Sequence, residues 1–486
     1  MPAAKVRVET VPIKELAMIM KLTPLCSFFL VVATAAAQDW PNWRGPQHDG
    51  SAEAKNLPTD FSQSKLIRWT SALPGPGAGT PIVVGDHIFL TSVDTKRERL
   101  VALCLDRGDG ALLWSKDAGS GYTGSSGQGS RVARGSRSNY ASPSPVTDGE
   151  RVIFFFGNGD LVALDLDGEE VWRSNIQKDH GDFAFLWTFS SSPTIWDGKV
   201  FLPIMQRDTP IGGNKRKPQR RKNRAPSAGS LQTPEEAPQP IQSFLLALDA
   251  KTGKPLYKTE RSSPAISESR ESYATAIPFV GENGRKELLV VGADILTSHD
   301  PATGKELWRW GTWNDDHRQR SWRLVPSSVV GGGVTLACAP KRQPVYAIRL
   351  GGKGTLGEDS IAWKSEGRPN PVSSDVPTPA YYRNHFYVLS DVASALSKIH
   401  PASGKVLWTT PLSRDYRWRA SPTAADGKIW CLNHHGDVTI VDADSGGIVS
   451  RISMGDEDDD NIRSSIVVAH GALFIRTNST LFCIGR

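Results

Sequence analysis

Arginine and tryptophan recur in company along this sequence, often beside a polar or acidic residue. The groups are Arg137 with Asn139, His180 ahead of Trp187, Arg270 with Glu271, Trp322 with Arg323, Asp375, Trp418 with Arg419, and Arg463. A guanidinium offers a planar fork of donors and an indole offers a flat π-face. Gathered in one place, such groups suit a flat anion. They lie far apart in the chain, so any shared site must be assembled by the fold.

Other motifs carry less chemistry. Gly119-Ser120-Gly121-Tyr122-Thr123-Gly124 fits GxGxxG, but no helix opens after it and no βαβ unit surrounds it, so it reads as a loop. The acidic run Asp456–Asp460 lacks the alternation and glycine of a calcium loop. His434-His435 has no acid or cysteine at ligand spacing, and no metal site is expected. No GxSxG elbow occurs, and no catalytic set is assigned. Cys104, Cys338, Cys431 and Cys483 sit singly in apolar segments without a CxxC, and are expected as buried thiols.

The elements that must position these residues are repeats. LVALDLDGEEVW, LLALDAKTGKPLY, SHDPATGKELW, KIHPASGKVLW and LVALCLDRGDGALLW share an apolar strand, a tight glycine turn and a short strand ending on Trp or Tyr. Weaker copies occupy 345–363 and 438–449. Each is preceded by two further strands about a polar turn, as in SPSPVTDGERVIFFF, SSPTIWDGKVFLP and SPTAADGKIWCL. Those turns fall at Asp86, Asp148, Asp197, Asn283, Gly331, Asn384, Asp426 and His470. The pattern predicts an all-β, eight-bladed β-propeller of four-stranded antiparallel blades, seven blades being the alternative. The last unit lacks an outer strand, and residues 66–72 are expected to supply it, which leaves no open edge in the ring. By repeat position, the Arg and Trp groups then ring one face of the central channel.

With the units laid out, ALDAKTGKPLY, DPATGKELW and HPASGKVLW resemble the repeat of the PQQ-like (quinoprotein alcohol dehydrogenase-like) propellers. The resemblance covers nearly all of 66–486. It implies that the closing aromatics, Trp69, Trp114, Trp172, Tyr257, Trp308, Trp363 and Trp408, dock between blades. It also implies two functional classes, quinone-dependent dehydrogenases and cofactor-free scaffolds. The dehydrogenase class needs a stacking aromatic, cations for the cofactor carboxylates, Ca²⁺ held by oxygen ligands and an acidic base. Arg137, Trp187, Arg270, Trp322, Arg323, Trp418, Arg419 and Arg463 are the rim candidates for holding such a cofactor. The vicinal Cys pair of the alcohol dehydrogenases and a cytochrome CxxCH are absent, and no calcium set assembles from the sequence.

The start of the chain predicts export. An apolar run at 22–33, a basic Lys21 before it and Ala35-Ala36-Ala37 after it have the form of a signal peptide cleaved after Ala37. Residues 1–37 are therefore assigned to an extension plus signal, and 38–65 to a clasp that contains DWPNWRGPQHDG. Its Trp40 and Trp43 are expected to pack on the propeller rather than to catalyse. The formal charge is +6, of which residues 1–37 contribute +2 and Lys215–Arg224 contribute +7, which leaves −3 for the rest. The basicity thus belongs to a leader and to a Pro-, Lys- and Arg-rich insertion at about 207–241, read as a disordered loop. No nucleic-acid partner is expected.

The leading reading is an exported monomeric propeller that binds or scaffolds a protein or cell-envelope polymer without a cofactor. The alternatives are a PQQ- and calcium-dependent alcohol or sugar dehydrogenase and a polysaccharide-binding or lyase-type propeller.

Overall fold

Alternation of buried apolar and half-exposed residues drives the strands of this chain into stacked antiparallel sheets. A computed structural model describes residues 38–119, 139–209, 241–311, 313–314, 316, 318–367 and 370–485. Residues 1–37, the basic run Lys215–Arg224 and Arg137 lie outside the described residues. The described strands form eight sheets, each ordered from a short inner strand to an outer one.

Blade 1 comprises Ile82–Val84, His87–Asp94, Arg99–Asp106 and Leu112–Asp117. Blade 2 comprises Val146–Thr147, Arg151–Phe155, Asp160–Asp165 and Glu170–Asn175. Blade 3 comprises Thr194–Trp196, Lys199–Ile204, Phe244–Asp249 and Pro255–Glu260. Blade 4 comprises Ile277–Val280, Lys286–Gly292, Ile295–His299 and Glu306–Trp310. Blade 5 comprises Val329–Gly331, Val334–Cys338, Val345–Arg349 and Ile361–Lys364. Blade 6 comprises Ala380–Tyr382, His385–Ser390, Ala395–Ile399 and Val406–Pro411. Blade 7 comprises Thr423–Ala425, Lys428–Leu432, Asp437–Asp442 and Ile448–Ser453. Blade 8 takes Val467–Ala469, Ala472–Arg476 and Thr480–Ile484 from the C-terminal end and Ile67–Ala72 from the N-terminal side. Trp69 pairs with Cys483 and Ala72 with Thr480, so the ring closes through the strand that the repeat count required.

The middle strands are buried on both faces and the outer strands alternate, as in the Leu112–Asp117 strand. Blades are pinned to one another at their outer edge by aromatics. The indole Nε1 of Trp172 donates to Ala250 O of blade 3 at 2.9 Å, and that of Trp114 to Leu166 O of blade 2 at 3.0 Å. Trp69, Trp363 and Trp408 donate to Arg107, Pro401 and Asp444 carbonyls, and the Tyr257 hydroxyl to Pro301 O at 3.1 Å. The receiving turns need glycine for two reasons. Gly253 has φ +67°, and a Cβ there would lie 2.6 Å from the Trp172 ring.

Trp308 departs from this scheme. Its Nε1 donates at 2.8 Å to Glu287 Oε2 within its own blade. Blade 5 lacks the short turn that would receive it. Its longer connection instead lays Gly354–Thr355 parallel to the outer strand of blade 4, as a fifth strand.

A second set of bonds runs round the inner ends of the blades. The backbone N–H of Thr80 donates to Ser144 Oγ at 2.8 Å, Ser144 to Ser192 at 3.0 Å, and Ser192 to Thr275 at 3.1 Å. Thr275 donates to Ser327 at 2.8 Å, Ser327 to Thr378 at 2.9 Å, Thr378 to Ser421 at 3.0 Å, and Ser465 to Thr80 at 3.0 Å. Only the link from blade 7 to blade 8 is missing among the described residues, and there Ser465 Oγ is buried without a partner. The outer pin is missing at the same seam, because Ser450 stands where other outer strands carry Trp.

The N-terminal segment fastens this seam. Trp40 pairs with Val83 of blade 1, and Ala52 N and Ala424 N bond to Ala424 O and Gly50 O at 3.0 and 2.9 Å. The Asp39 carboxylate lies 2.7 Å from His470 Nε2 and accepts from Gly85 N. Arg44, 1% exposed, donates to Pro379 O of the blade 6 connection at 3.0 Å and to Pro422 O of the blade 7 connection at 3.1 Å. Burial lowers its pKa to about 10, so it remains charged. Phe61 and Leu57 pack in one apolar cluster with Trp430, Ile440 and Phe474 of blades 7 and 8.

Candidate functional site

Eight short inner strands leave a channel along the axis, and its lining comes from the residues just before them. Repeats of Ser-Pro or Thr-Pro bring a hydroxyl to the wall, while longer connecting loops bring arginine and aromatic side chains. The result is a cavity of about 240 Å³. Trp43 lies at its base, beneath Ser144, Ser192, Thr275, Thr378 and Ser421. Trp187 and Tyr273 line the blade 3–4 side, and Arg323, Arg419 and Arg463 come from blades 5, 7 and 8. The N-terminal segment that supplies Trp43 bonds to inner strands at Val83, Thr147, Tyr381 and Ala424. The cavity is a socket rather than a bore.

Of the rim candidates, Trp187, Arg323, Arg419 and Arg463 meet in this cavity. The other described ones do not. Trp418 is 1% exposed, donates to Ser413 O at 2.7 Å and packs in the blade 6–7 core. Trp322 packs against the cluster that holds Trp308, Trp310 and Leu324. Arg270 sits at the end of a short 3₁₀ turn, Ser267–Arg270, 3.9 Å from Asp208. Beside Trp322 and Trp418 the next residue, Arg323 or Arg419, faces the channel instead, and in the Arg270 loop Tyr273 does so. The expected channel-rim positions of Arg270, Trp322 and Trp418 are thus corrected, whereas Trp308, although its N–H stays within its own blade, packs with Ala337 and Ile348 of blade 5.

The arginines differ in how they are held. Arg323 is clamped in a two-pronged bond to Asp375, with NH1 and NH2 at 3.0 and 3.1 Å from its oxygens. Burial disfavours both charges, yet the pairing keeps Arg323 above and Asp375 below their usual ranges. Arg419 is loosely held. Its Nε stands 3.7 Å from Asp391 and makes no hydrogen bond among the described residues. Asp391 lies behind it, 4% exposed, with its Oδ1 accepting from Asp375 N at 2.9 Å. Burial pushes Asp391 up to about 6, against the pull of the Asp375 N–H and the Arg419 charge. Behind Tyr273 lies Glu271, also buried, which accepts from the Tyr273 hydroxyl at 2.6 Å and pairs with Arg207. Burial raises it to about 7.

The hydroxyl ring has a defined polarity. Each oxygen of Ser144, Ser192, Thr275, Thr378 and Ser421 accepts a backbone N–H, and no acceptor for its own proton occurs among the described residues. A serine or threonine hydroxyl has one proton to give, so the wall offers donors to whatever occupies the socket. Among the described residues no carboxylate lines it. Sequence reasoning missed this ring, Tyr273, and the role of Trp43 as floor. Ser-Pro or Thr-Pro before five of the eight inner strands, at Thr80, Ser144, Ser192, Thr378 and Ser421, was the visible signal of the first.

These donors match the carboxylates of a quinone cofactor, but its calcium does not fit. The lining holds no carboxylate to bind the ion, the nearest ones are committed to Arg323 and set behind Arg419, and no group of three or more His, Cys, Asp or Glu side chains is placed to hold a metal among the described residues.

The four cysteines are buried free thiols, and burial pushes Cys104, Cys338 and Cys431 up to about 12. No helix among the described residues is long and apolar enough to cross a membrane.

Comparison with known proteins gives two kinds of match. A family profile described as outer membrane protein assembly factor BamB matches residues 62–207 and 356–486. A polyvinylalcohol dehydrogenase of Sphingopyxis sp. is 25% identical over 234 residues, 47% of this chain and 29% of that protein. A second, from Pseudomonas sp., is 26% identical over 196 residues, 40% of this chain and 24% of that protein. The chain spans under a third of these relatives' own length. BamB from Moraxella catarrhalis superposes with a TM-score of 0.55 at 13% identity, covering 88% of this chain and 100% of that one. Quinohemoprotein alcohol dehydrogenase from Comamonas testosteroni gives 0.57 at 12% identity, covering 92% and 81%. At these identities the structural matches establish the fold alone.

Proposed function

Because the chain belongs to the PQQ-like propeller family described by the outer membrane protein assembly factor BamB, we propose that it is an exported binding module whose socket holds an oxyanion without redox chemistry. The observation that carries this is the polarity of the cavity: guanidinium and hydroxyl donors, two indole faces, and no carboxylate in the lining. A charged oxygen accepts from such a wall in charge-assisted bonds, whereas a neutral alcohol oxygen accepts more weakly and brings a proton of its own to place. An acidic base in contact with substrate, which alcohol oxidation needs, is not among the lining residues. Protein partners belong to this reading, since propeller faces carry loops and the family is described by an assembly factor.

The dehydrogenase reading draws support from the polyvinylalcohol dehydrogenases. Incubation with PQQ and Ca²⁺, followed by dye-linked oxidation of polyvinyl alcohol, simple alcohols and aldoses, separates the two. The binding reading expects no turnover, together with a rise in melting temperature on adding small carboxylic acids. Turnover dependent on both PQQ and calcium would overturn it.

A further inference from the structure

The rim arginines differ in one respect that bears on how the socket takes up and releases a ligand. Arg323 cannot leave Asp375 without breaking two charge-assisted bonds. Arg419 lines the same cavity with Asp391 as a loose ion-pair partner at 3.7 Å, and the charge of Asp375 acts on it more weakly. Asp391 does not line the cavity, so a ligand meets Arg419 and feels Asp391 only through it. We propose that Asp391 controls the affinity of the socket: ionised, it competes with the ligand for Arg419, and neutral, it yields Arg419 to the ligand. The idea rests on the oxyanion reading given above and names its regulation.

The groups that face Asp391 come from three blades. Asp375, on the loop entering blade 6, donates its backbone N–H and repels a second negative charge. Arg419 on the loop entering blade 7 attracts it, with Arg417 beside it. Arg323 of blade 5 lies beyond Asp375, Lys341 N also bonds Asp375, and the buried thiol of Cys338 lies within its field. Of these, Asp391 is the one brought to ionise near pH 6, because its burial outweighs a distant cation.

The sign follows from linkage. An anion bound at Arg419 opposes ionisation of Asp391, so binding and protonation reinforce each other. Affinity is therefore high below the pKa of Asp391 and falls as pH rises through about 6. If the ligand raises that pKa by one unit, affinity changes about tenfold between the limits.

Sulfate is a suitable probe, because it does not titrate in this range. Its dissociation constant is measured by calorimetry on the full chain between pH 5 and 8, for the natural protein, Asp391→Asn and Glu271→Gln. The expected result is about tenfold weaker binding at pH 8 than at pH 5. Asp391→Asn should bind at the low-pH affinity throughout, and Glu271→Gln should keep the natural dependence. Circular dichroism and melting temperature establish that each variant is folded. A flat pH profile in the natural protein, or a slope that survives Asp391→Asn, overturns the proposal while leaving the oxyanion reading intact. No sulfate binding at any pH overturns both.

Discussion

Arg463 and Arg419 belong to the lining of the socket, where neither takes part in the Arg323–Asp375 clamp. Replacing either by Ala removes a donor from the ligand. A hydrogen bond to a charged group contributes roughly 1.5–3 kcal/mol, so oxyanion affinity should fall about 10- to 100-fold. Titration calorimetry checks this, and the melting temperature should move little. The thiols give a second test at this scale. Cys104, Cys338, Cys431 and Cys483 are buried and protonated, so a thiol reagent at pH 8 should leave them untouched until denaturant is added. Fast labelling in the native state would contradict their placement. At residue level the sequence disclosed which arginines were present but not which face each takes. Arg323 and Trp322 are neighbours, and only the backbone at that loop decides which one reaches the channel.

The blade is the element, and its outer pin was legible because it repeats: Trp172 and Gly253 recur as a pair at the corresponding places in other blades. Trp172→Ala removes a large side chain that is 8% exposed, together with its bond to Ala250 O. It should cost about 3–5 kcal/mol in denaturant unfolding. Trp308 packs against Ala337 and Ile348 of blade 5 but lacks the carbonyl acceptor of the other pins, the turn of blade 5 having been replaced by a longer connection that adds Gly354–Thr355 to blade 4. A pattern read along the chain shows the pin but not whether the next blade supplies the hole. The clasp is a different device. Arg44→Ala takes a buried guanidinium from the Pro379 and Pro422 carbonyls, at about 3 kcal/mol. Hydrogen exchange should then rise at Ala380–Tyr382 and Thr423–Ala425, on either side of the blade 6–7 boundary that Arg44 spans. Unchanged protection there would show that the clasp does not fasten it.

For the whole molecule, eight blades and their closure followed from counting turns, since a closed ring needs the strand that the last unit lacks. Trp69 opposite Cys483 is that closure. The socket was less legible, because it exists only where eight loops converge. Its floor comes from Trp43 in a segment far from the loops in sequence, and its hydroxyl ring acquires direction only when each blade's backbone donates to the next. That direction turns a row of Ser-Pro and Thr-Pro dipeptides into a wall of donors, and it is the basis of the functional reading. The most direct test is calorimetric titration of the full chain with galacturonate and with galactose, which differ by a carboxylate in place of a hydroxymethyl group. The account predicts saturable binding of galacturonate that is lost in Arg463→Ala, with galactose bound at least tenfold more weakly. Equal binding of the two sugars, or galacturonate binding indifferent to Arg463→Ala, would contradict it.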